Sequence, residues 1–139
     1  MRRALVVLLL SAGLIATPAA AKNFGPGDLR LCGAERCATI TDRAVLRALS
    51  GFIYAEGVPA PVRTPRVGAP VFELQFKNRY VAGMIGAARL DRFRSHGVIC
   101  GRFRRGSWYR LPAGVALEFR RLGARLVPLR LTAAVPRPC

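Results

Sequence analysis

Residues 71–85 read Val-Phe-Glu-Leu-Gln-Phe-Lys-Asn-Arg-Tyr-Val-Ala-Gly-Met-Ile and carry the clearest β pattern in the chain. In the first six residues, apolar side chains alternate with Glu73 and Gln75, as they do along a strand that buries one face. Residues 77–79 suit a turn, because Asn tolerates a positive φ. The sequence therefore predicts a hairpin over 71–85 at the centre of an antiparallel sheet.

Two helices are predicted outside this hairpin. Residues 42–50 follow Thr41 or Asp42, either of which can cap a helix, and Gly51 offers a stop. Residues 112–126 begin with a proline, which suits a first helical turn, and carry apolar side chains at helical spacing. The mixed order of short strands and helices indicates an α+β fold with a short antiparallel sheet, in one domain over residues 22–139.

Residues 57–70 contain four prolines and two glycines. This composition predicts a loop with extended stretches. The loop is long for a connector in a compact domain, which favours a functional or mobile segment.

The first 21 residues have the pattern of a cleaved signal peptide. Arg2 and Arg3 precede an apolar run, and Ala19 and Ala21 form an A-x-A cleavage signal. The run is shorter than the roughly 20 residues that a spanning helix needs, and no later segment is long and apolar enough to span. We therefore expect a secreted product without an integral membrane span, extracellular or, if there is an outer membrane, periplasmic.

Four cysteines remain after such cleavage, and an even number in an exported domain predicts two disulfides. Three connectivities are open. The four residues between Cys32 and Cys37 suit a hairpin loop, and paired strands bring Cα atoms to a separation that a disulfide accepts. We expect Cys32–Cys37, which leaves Cys100–Cys139 to hold the C-terminal tail.

The chain is strongly basic, with 23 Lys and Arg against 7 Asp and Glu, a formal net charge of +16. Arginine binds phosphate, sulfate and carboxylate with two parallel hydrogen bonds. A GC-rich bacterial genome would also favour arginine over lysine, but it does not explain the scarcity of acids. The charge therefore indicates an affinity for polyanions.

An arginine- and aromatic-rich segment, residues 92–110, is the candidate binding surface. Cations can follow a phosphate or sulfate polymer, and aromatic rings can stack on bases or sugars. A solvated charged face beside core aromatics is the alternative interpretation. The candidate ligand-binding residues are Arg92, Arg94, Arg102, Arg104, Arg105, Trp108, Tyr109 and Arg110.

Metal binding is a second hypothesis for the cysteines. Cys32, Cys37, His96 and Cys100 would give zinc a ligand set of three sulfurs and one nitrogen. An oxidising compartment and the leftover Cys139 favour disulfides instead, so we expect no metal.

Enzymatic function has weak support in the sequence. A hydrolase would need acids such as Glu73 and Asp91, or His96, converging on a cleft, but neighbouring arginines make ion pairing the simpler explanation. Because the chain has no phosphate-binding loop, dinucleotide fingerprint or Gly-x-Ser-x-Gly, we expect no cofactor.

The favoured function is a non-enzymatic exported protein that binds an envelope polymer, anionic lipid or nucleic acid. A secreted hydrolase with an unrecognised site is the first alternative. The second is a protein-binding or inhibitory module, in which Arg63 and Arg66 on a proline-stiffened loop would enter a protease pocket.

Overall fold

The computed structural model describes residues 23–54, 60–95 and 106–132. Eight strands belong to these residues: β1 (Leu29–Cys32), β2 (Cys37–Thr39), β3 (Pro61–Val62), β4 (Pro70–Phe76), β5 (Val81–Gly86), β6 (Arg92–Ser95), β7 (Trp108–Arg110) and β8 (Leu129–Arg130). The two helices are α1 (Arg43–Tyr54) and α2 (Ala113–Gly123). The predicted α+β class, with two helices and an antiparallel sheet, is confirmed.

The strands form one sheet in the order β2-β1-β4-β5-β6-β7-β3, with β8 also paired to β4. Every pairing is antiparallel. The hairpin of β4 and β5 lies in the middle of this order, as residues 71–85 predict. Short strands far apart in sequence extend the sheet on both sides of the hairpin.

One face of the sheet carries both helices and the main core. Phe72 and Leu74 of β4 pack with Leu49 and Ile53 of α1 and with Phe119 of α2, and all five are at most 3% exposed. The opposite face has a smaller apolar cluster that contains Val71, Trp108 and Leu131. Alternate residues of the same strands thus serve two different apolar clusters.

Asp42 caps α1, one of the two caps that the sequence offers. Its Oδ1 accepts hydrogen bonds from the Ala44 and Val45 amides at 2.8 and 3.1 Å. The helix does not stop at Gly51 as expected. It continues to Tyr54 because Phe52 and Ile53 extend its apolar face into the core.

The prediction that residues 57–70 form a loop is wrong in part. Pro61 and Val62 form β3 at the edge of the sheet and pair with Tyr109 and Trp108. A proline can start an edge strand because its missing N–H is not needed there. Residues 57–59 lie outside the described residues.

One predicted disulfide is present. Cys32 and Cys37 are bonded, with their Cα atoms 3.9 Å apart across the β1–β2 hairpin. The proposed Cys100–Cys139 bond and the signal peptide at 1–21 lie outside the described residues. In the part of the chain that is described, neither helix is long and apolar enough to cross a membrane.

Candidate functional site

The sheet brings three of the predicted ligand-binding arginines to one face. Arg92 pairs with Arg110 across β6 and β7, and Phe93 pairs with Tyr109. Phe93 and Tyr109 are fully buried in the helix-side core. Because side chains alternate along a strand, Arg92, Arg94 and Arg110 lie on the opposite side of the sheet, and we call these three residues the arginine face.

A single carboxylate, that of Asp91, serves two of these arginines. Arg92 Nε lies 3.8 Å from Asp91 Oδ1, and Arg110 Nη1 lies 3.6 Å from Asp91 Oδ2. Both distances exceed those of a normal N–H···O hydrogen bond. Arg92 Nη1 also donates to the Arg63 carbonyl at 2.7 Å, which fixes the guanidinium. The positive charge at this point of the sheet is therefore only partly neutralised.

Arg94 has no carboxylate partner within residues 23–54, 60–95 and 106–132. Its side chain is half-buried, and its buried Nε has no hydrogen-bond partner among the residues that the structure describes. Desolvation lowers the pKa of this guanidinium, because burial disfavours the charged form. An anion that reached Arg94 would therefore offset an unfavourable charge as well as gain hydrogen bonds.

The two predicted aromatic residues do not present their rings to solvent. Trp108 and Tyr109 are both fully buried. Trp108 packs in the cluster with Val71 and Leu131, whereas Tyr109 packs in the helix-side core. Their contribution in this structure is to hold β7 between two apolar layers, which fixes the position of Arg110.

A cavity of about 230 Å³ lies beside the arginine face. It is lined from the start of β4 and the segment before it, and from the end of β5 through the turn to the start of β6. The lining residues are Pro65, Ala69, Pro70, Gly86, Ala87, Ala88, Arg89, Asp91 and Arg92. The polar part of this lining includes Arg89, Asp91 and Arg92. We call it the Asp91 cavity. Because two arginines and one acid line it, the cavity has an excess of positive charge, which favours a small anionic group over a neutral polar one.

Three predicted arginines, Arg102, Arg104 and Arg105, lie outside the described residues, and so does His96. The arginine face is therefore the part of the predicted surface that the structure places.

The acids considered for catalysis do not share the Asp91 cavity. Asp91 lines it, but Glu73 does not. A Glu73 oxygen accepts a hydrogen bond from Gln75 Nε2 at 2.7 Å, and Gln75 Oε1 in turn accepts from Arg30 Nη2 at 3.4 Å. Glu73 therefore belongs to a row of polar side chains across β1 and β4, and its hydrogen bond is with a neighbour in the sheet.

The hypothesis of a zinc site loses two of its four ligands. Cys32 and Cys37 form a disulfide, and disulfide sulfurs are not the thiolates that zinc requires. No group of three or more metal-ligating side chains occurs among the described residues.

The segment proposed for protease inhibition is held at both ends. Val62 pairs with Trp108, and Gly68 and Ala69 hydrogen-bond with Leu131 at 2.8 Å. Arg63 and Arg66 are both exposed between these ends. An anchored, exposed segment is a necessary feature of an inhibitory loop, but it is common in loops without that function.

The sequence does not predict two groups of arginines that each line a cavity. Arg89 and Arg92 line one cavity because the turn after β5 folds back against the segment before β4. Arg36, Arg121 and Arg125 line another cavity of about 230 Å³, although they are up to 89 residues apart in sequence. Nothing local in the sequence indicates either grouping, because each depends on pairing between distant strands or on docking of a loop on α2.

Comparison of the chain with protein-family models, with curated proteins and with solved structures finds no match.

Proposed function

We propose that this chain is an exported, non-enzymatic protein that binds an anionic polymer or surface through the arginine face and the neighbouring Asp91 cavity. The observation that carries the proposal is the charge imbalance on β6 and β7. Arg92 and Arg110 share one carboxylate, and Arg94 has none in the described part of the chain. This is a coherent positive face, whereas pairing of each arginine with its own acid would have removed it.

The geometry supports repeated contacts to phosphate or sulfate groups. Adjacent strands of a sheet lie about 5 Å apart, so arginines on β6 and β7 are close enough for one polyanion to contact several of them. The buried aromatic rings remove base stacking as a source of affinity for these residues. The proposed binding is therefore electrostatic, with little dependence on base or sugar sequence.

The test compares two double variants that lose the same charge. One is Arg94→Gln with Arg110→Gln, which leaves the Arg92–Asp91 pair in place. The control is Arg43→Gln with Arg47→Gln on the exposed side of α1. Each is titrated with duplex DNA and with a sulfated polysaccharide over a salt series, after circular dichroism has shown that it is folded.

Loss of two phosphate contacts should reduce the slope of log K against log salt for duplex DNA by roughly 2. We expect this reduction for the arginine-face variant and a much smaller one for the control. Equal losses in the two variants would show that the binding follows net charge alone, and the proposed site would be abandoned.

A further inference from the structure

A second group of arginines lines a cavity next to the β1–β2 hairpin. In the strand order of the sheet, this hairpin lies at the end away from β6 and β7. This cavity, of about 230 Å³, is lined from the hairpin by Arg36, Cys37 and Ala38. From α2 and the turn after it, the lining residues are Arg121, Leu122, Arg125 and Leu126. We call it the disulfide-loop cleft.

The loop that supplies Arg36 is anchored in three ways. The Cys32–Cys37 disulfide closes it, and the Gly33 amide donates to the Arg36 carbonyl at 2.9 Å. The Ala34 amide donates to the Val127 carbonyl at 2.8 Å, which docks the loop on the chain after α2. The backbone of this loop is therefore held in place before any ligand arrives.

Arg36 also binds the turn after α2 directly. Its Nε donates to the Arg125 carbonyl at 3.0 Å, and its Nη2 donates to the same oxygen. A guanidinium has five N–H donors, so three of them remain for another acceptor. A cation that binds a carbonyl near the C-terminus of a helix is a common arrangement, and this explains the position of Arg36. It does not explain why two more arginines line the same cavity.

The charges of the cleft are incompletely compensated. Arg121 is held by Glu118, with its Nε and Nη2 2.6 and 2.5 Å from the two carboxylate oxygens. This hydrogen bonding, together with the charge of Glu118 and a weaker contribution from Asp42, raises the pKa of Arg121. Arg36 and Arg125 form no ion pair within the described residues, and neither does Glu35 of the loop.

We propose that the disulfide-loop cleft binds one tetrahedral oxyanion, a phosphate or sulfate group. A carboxylate is planar and is satisfied by one guanidinium fork, whereas a tetrahedral dianion accepts hydrogen bonds from several directions at once. Arginines of the hairpin, of α2 and of the turn after it line a single small cavity from different elements. This site is separate from the arginine face and does not depend on the function proposed for it.

The test uses the oxidised chain and inorganic phosphate and sulfate as probes, with binding measured by calorimetry. Arg125→Gln removes a guanidinium that has no side-chain partner in the described structure, and Arg43→Gln on α1 is the matched control. We expect Arg125→Gln to weaken phosphate binding by about tenfold, since a hydrogen bond to a charged group contributes that much or more. Arg43→Gln should change it less than twofold.

Circular dichroism of each variant guards against an effect on folding, and one further comparison separates this proposal from the proposed function. The loss of salt dependence caused by Arg94→Gln with Arg110→Gln in the titration with duplex DNA should be the same in the Arg125→Gln background, so failure of one proposal does not imply failure of the other. Equal weakening by Arg125→Gln and Arg43→Gln, or no saturable binding of phosphate and sulfate by the unmodified chain, would overturn the assignment of this cleft.

The source of the phosphate group is then distinguished by a soluble phosphate monoester and by phosphatidic acid in phosphatidylcholine vesicles. Binding of both, each weakened by Arg125→Gln, supports a site open enough for a lipid headgroup. Binding of the soluble ester alone supports a site for a free ligand. Vesicle binding that Arg125→Gln leaves unchanged contradicts a lipid headgroup in the cleft.

Discussion

Replacing Gly83 by alanine should destabilise the fold, although alanine is ordinarily the better residue. A Cβ at this position would lie 2.5 Å from the Arg94 carbonyl oxygen and 2.7 Å from Phe93 Cζ, and Phe93 Cε2 would be closer still. Contacts under 3.0 Å are essentially never tolerated. The ring cannot easily swing aside, because Phe93 is fully buried and packs edge-on against Phe52, with ring centroids 5.7 Å apart.

The size of the effect follows from two opposing terms. Overpacking of a filled core costs about 1–3 kcal/mol, and one of the clashing atoms here is backbone, which places the cost at the upper end. Replacing a glycine inside a strand by alanine, taken alone, stabilises the folded state by roughly 0.5–1 kcal/mol. We expect Gly83→Ala to lower the free energy of unfolding by about 2 kcal/mol.

Gly51→Ala is the matched control because it makes the same chemical change in open space. Gly51 lies within α1, and a Cβ there would have nothing within 4 Å. Alanine should raise the free energy of unfolding by about 0.5–1 kcal/mol through helix propensity. Both variants are measured by urea unfolding, with fluorescence of Trp108, the one tryptophan of the chain, as the signal. A Gly83→Ala variant at least as stable as the unmodified chain would refute the packing of β5 against β6 described above.

Two further substitutions test other parts of the fold by the same unfolding measurement. Asp42→Ala should cost about 1 kcal/mol, because it removes the acceptor of the Ala44 and Val45 amides; Asp42→Asn should restore most of this, and failure to do so would show that capping is not the cause. Arg94→Met should leave the stability unchanged or raise it by up to about 1 kcal/mol, because it replaces a partly desolvated cation by an apolar chain of similar length, and this cation has no ion pair within the described residues. A loss of more than about 1 kcal/mol would mean that Arg94 has a stabilising partner.

The elements that the sequence predicts well are those whose signals are local. Alternation over residues 71–76 specifies β4, and the β4–β5 hairpin follows from the short turn after it. Asp42 is recognisable as a cap because the acceptor and the amides it binds are two or three residues apart. The spacing of Cys32 and Cys37 is enough to predict their disulfide, because both lie on one hairpin.

Strands that depend on pairing with residues far away in the chain cannot be predicted from a local sequence pattern. β3 has two residues and begins with proline, so its assignment depends on the pairing with Trp108 and Tyr109. The burial of those two aromatic residues has the same origin. With β6 on one side and β3 on the other, β7 is an interior strand, and both of its faces are covered by apolar clusters. From sequence alone, aromatic residues between arginines suggest an exposed stacking surface equally well.

The disulfide has a role in the structure that its contribution to stability does not explain. Cys32 and Cys37 are five positions apart, and closing so short a loop contributes only about 2 kcal/mol by chain entropy. The bond also fixes the conformation of a loop whose Ala34 amide and Arg36 guanidinium both bind the chain that follows α2. Without the disulfide, the loop would lose conformational entropy each time Arg36 bound a ligand, which would lower the affinity. The disulfide therefore matters most for the position of Arg36, and this is the physical reason to expect a shaped anion site there rather than a diffuse attraction of arginines for any polyanion.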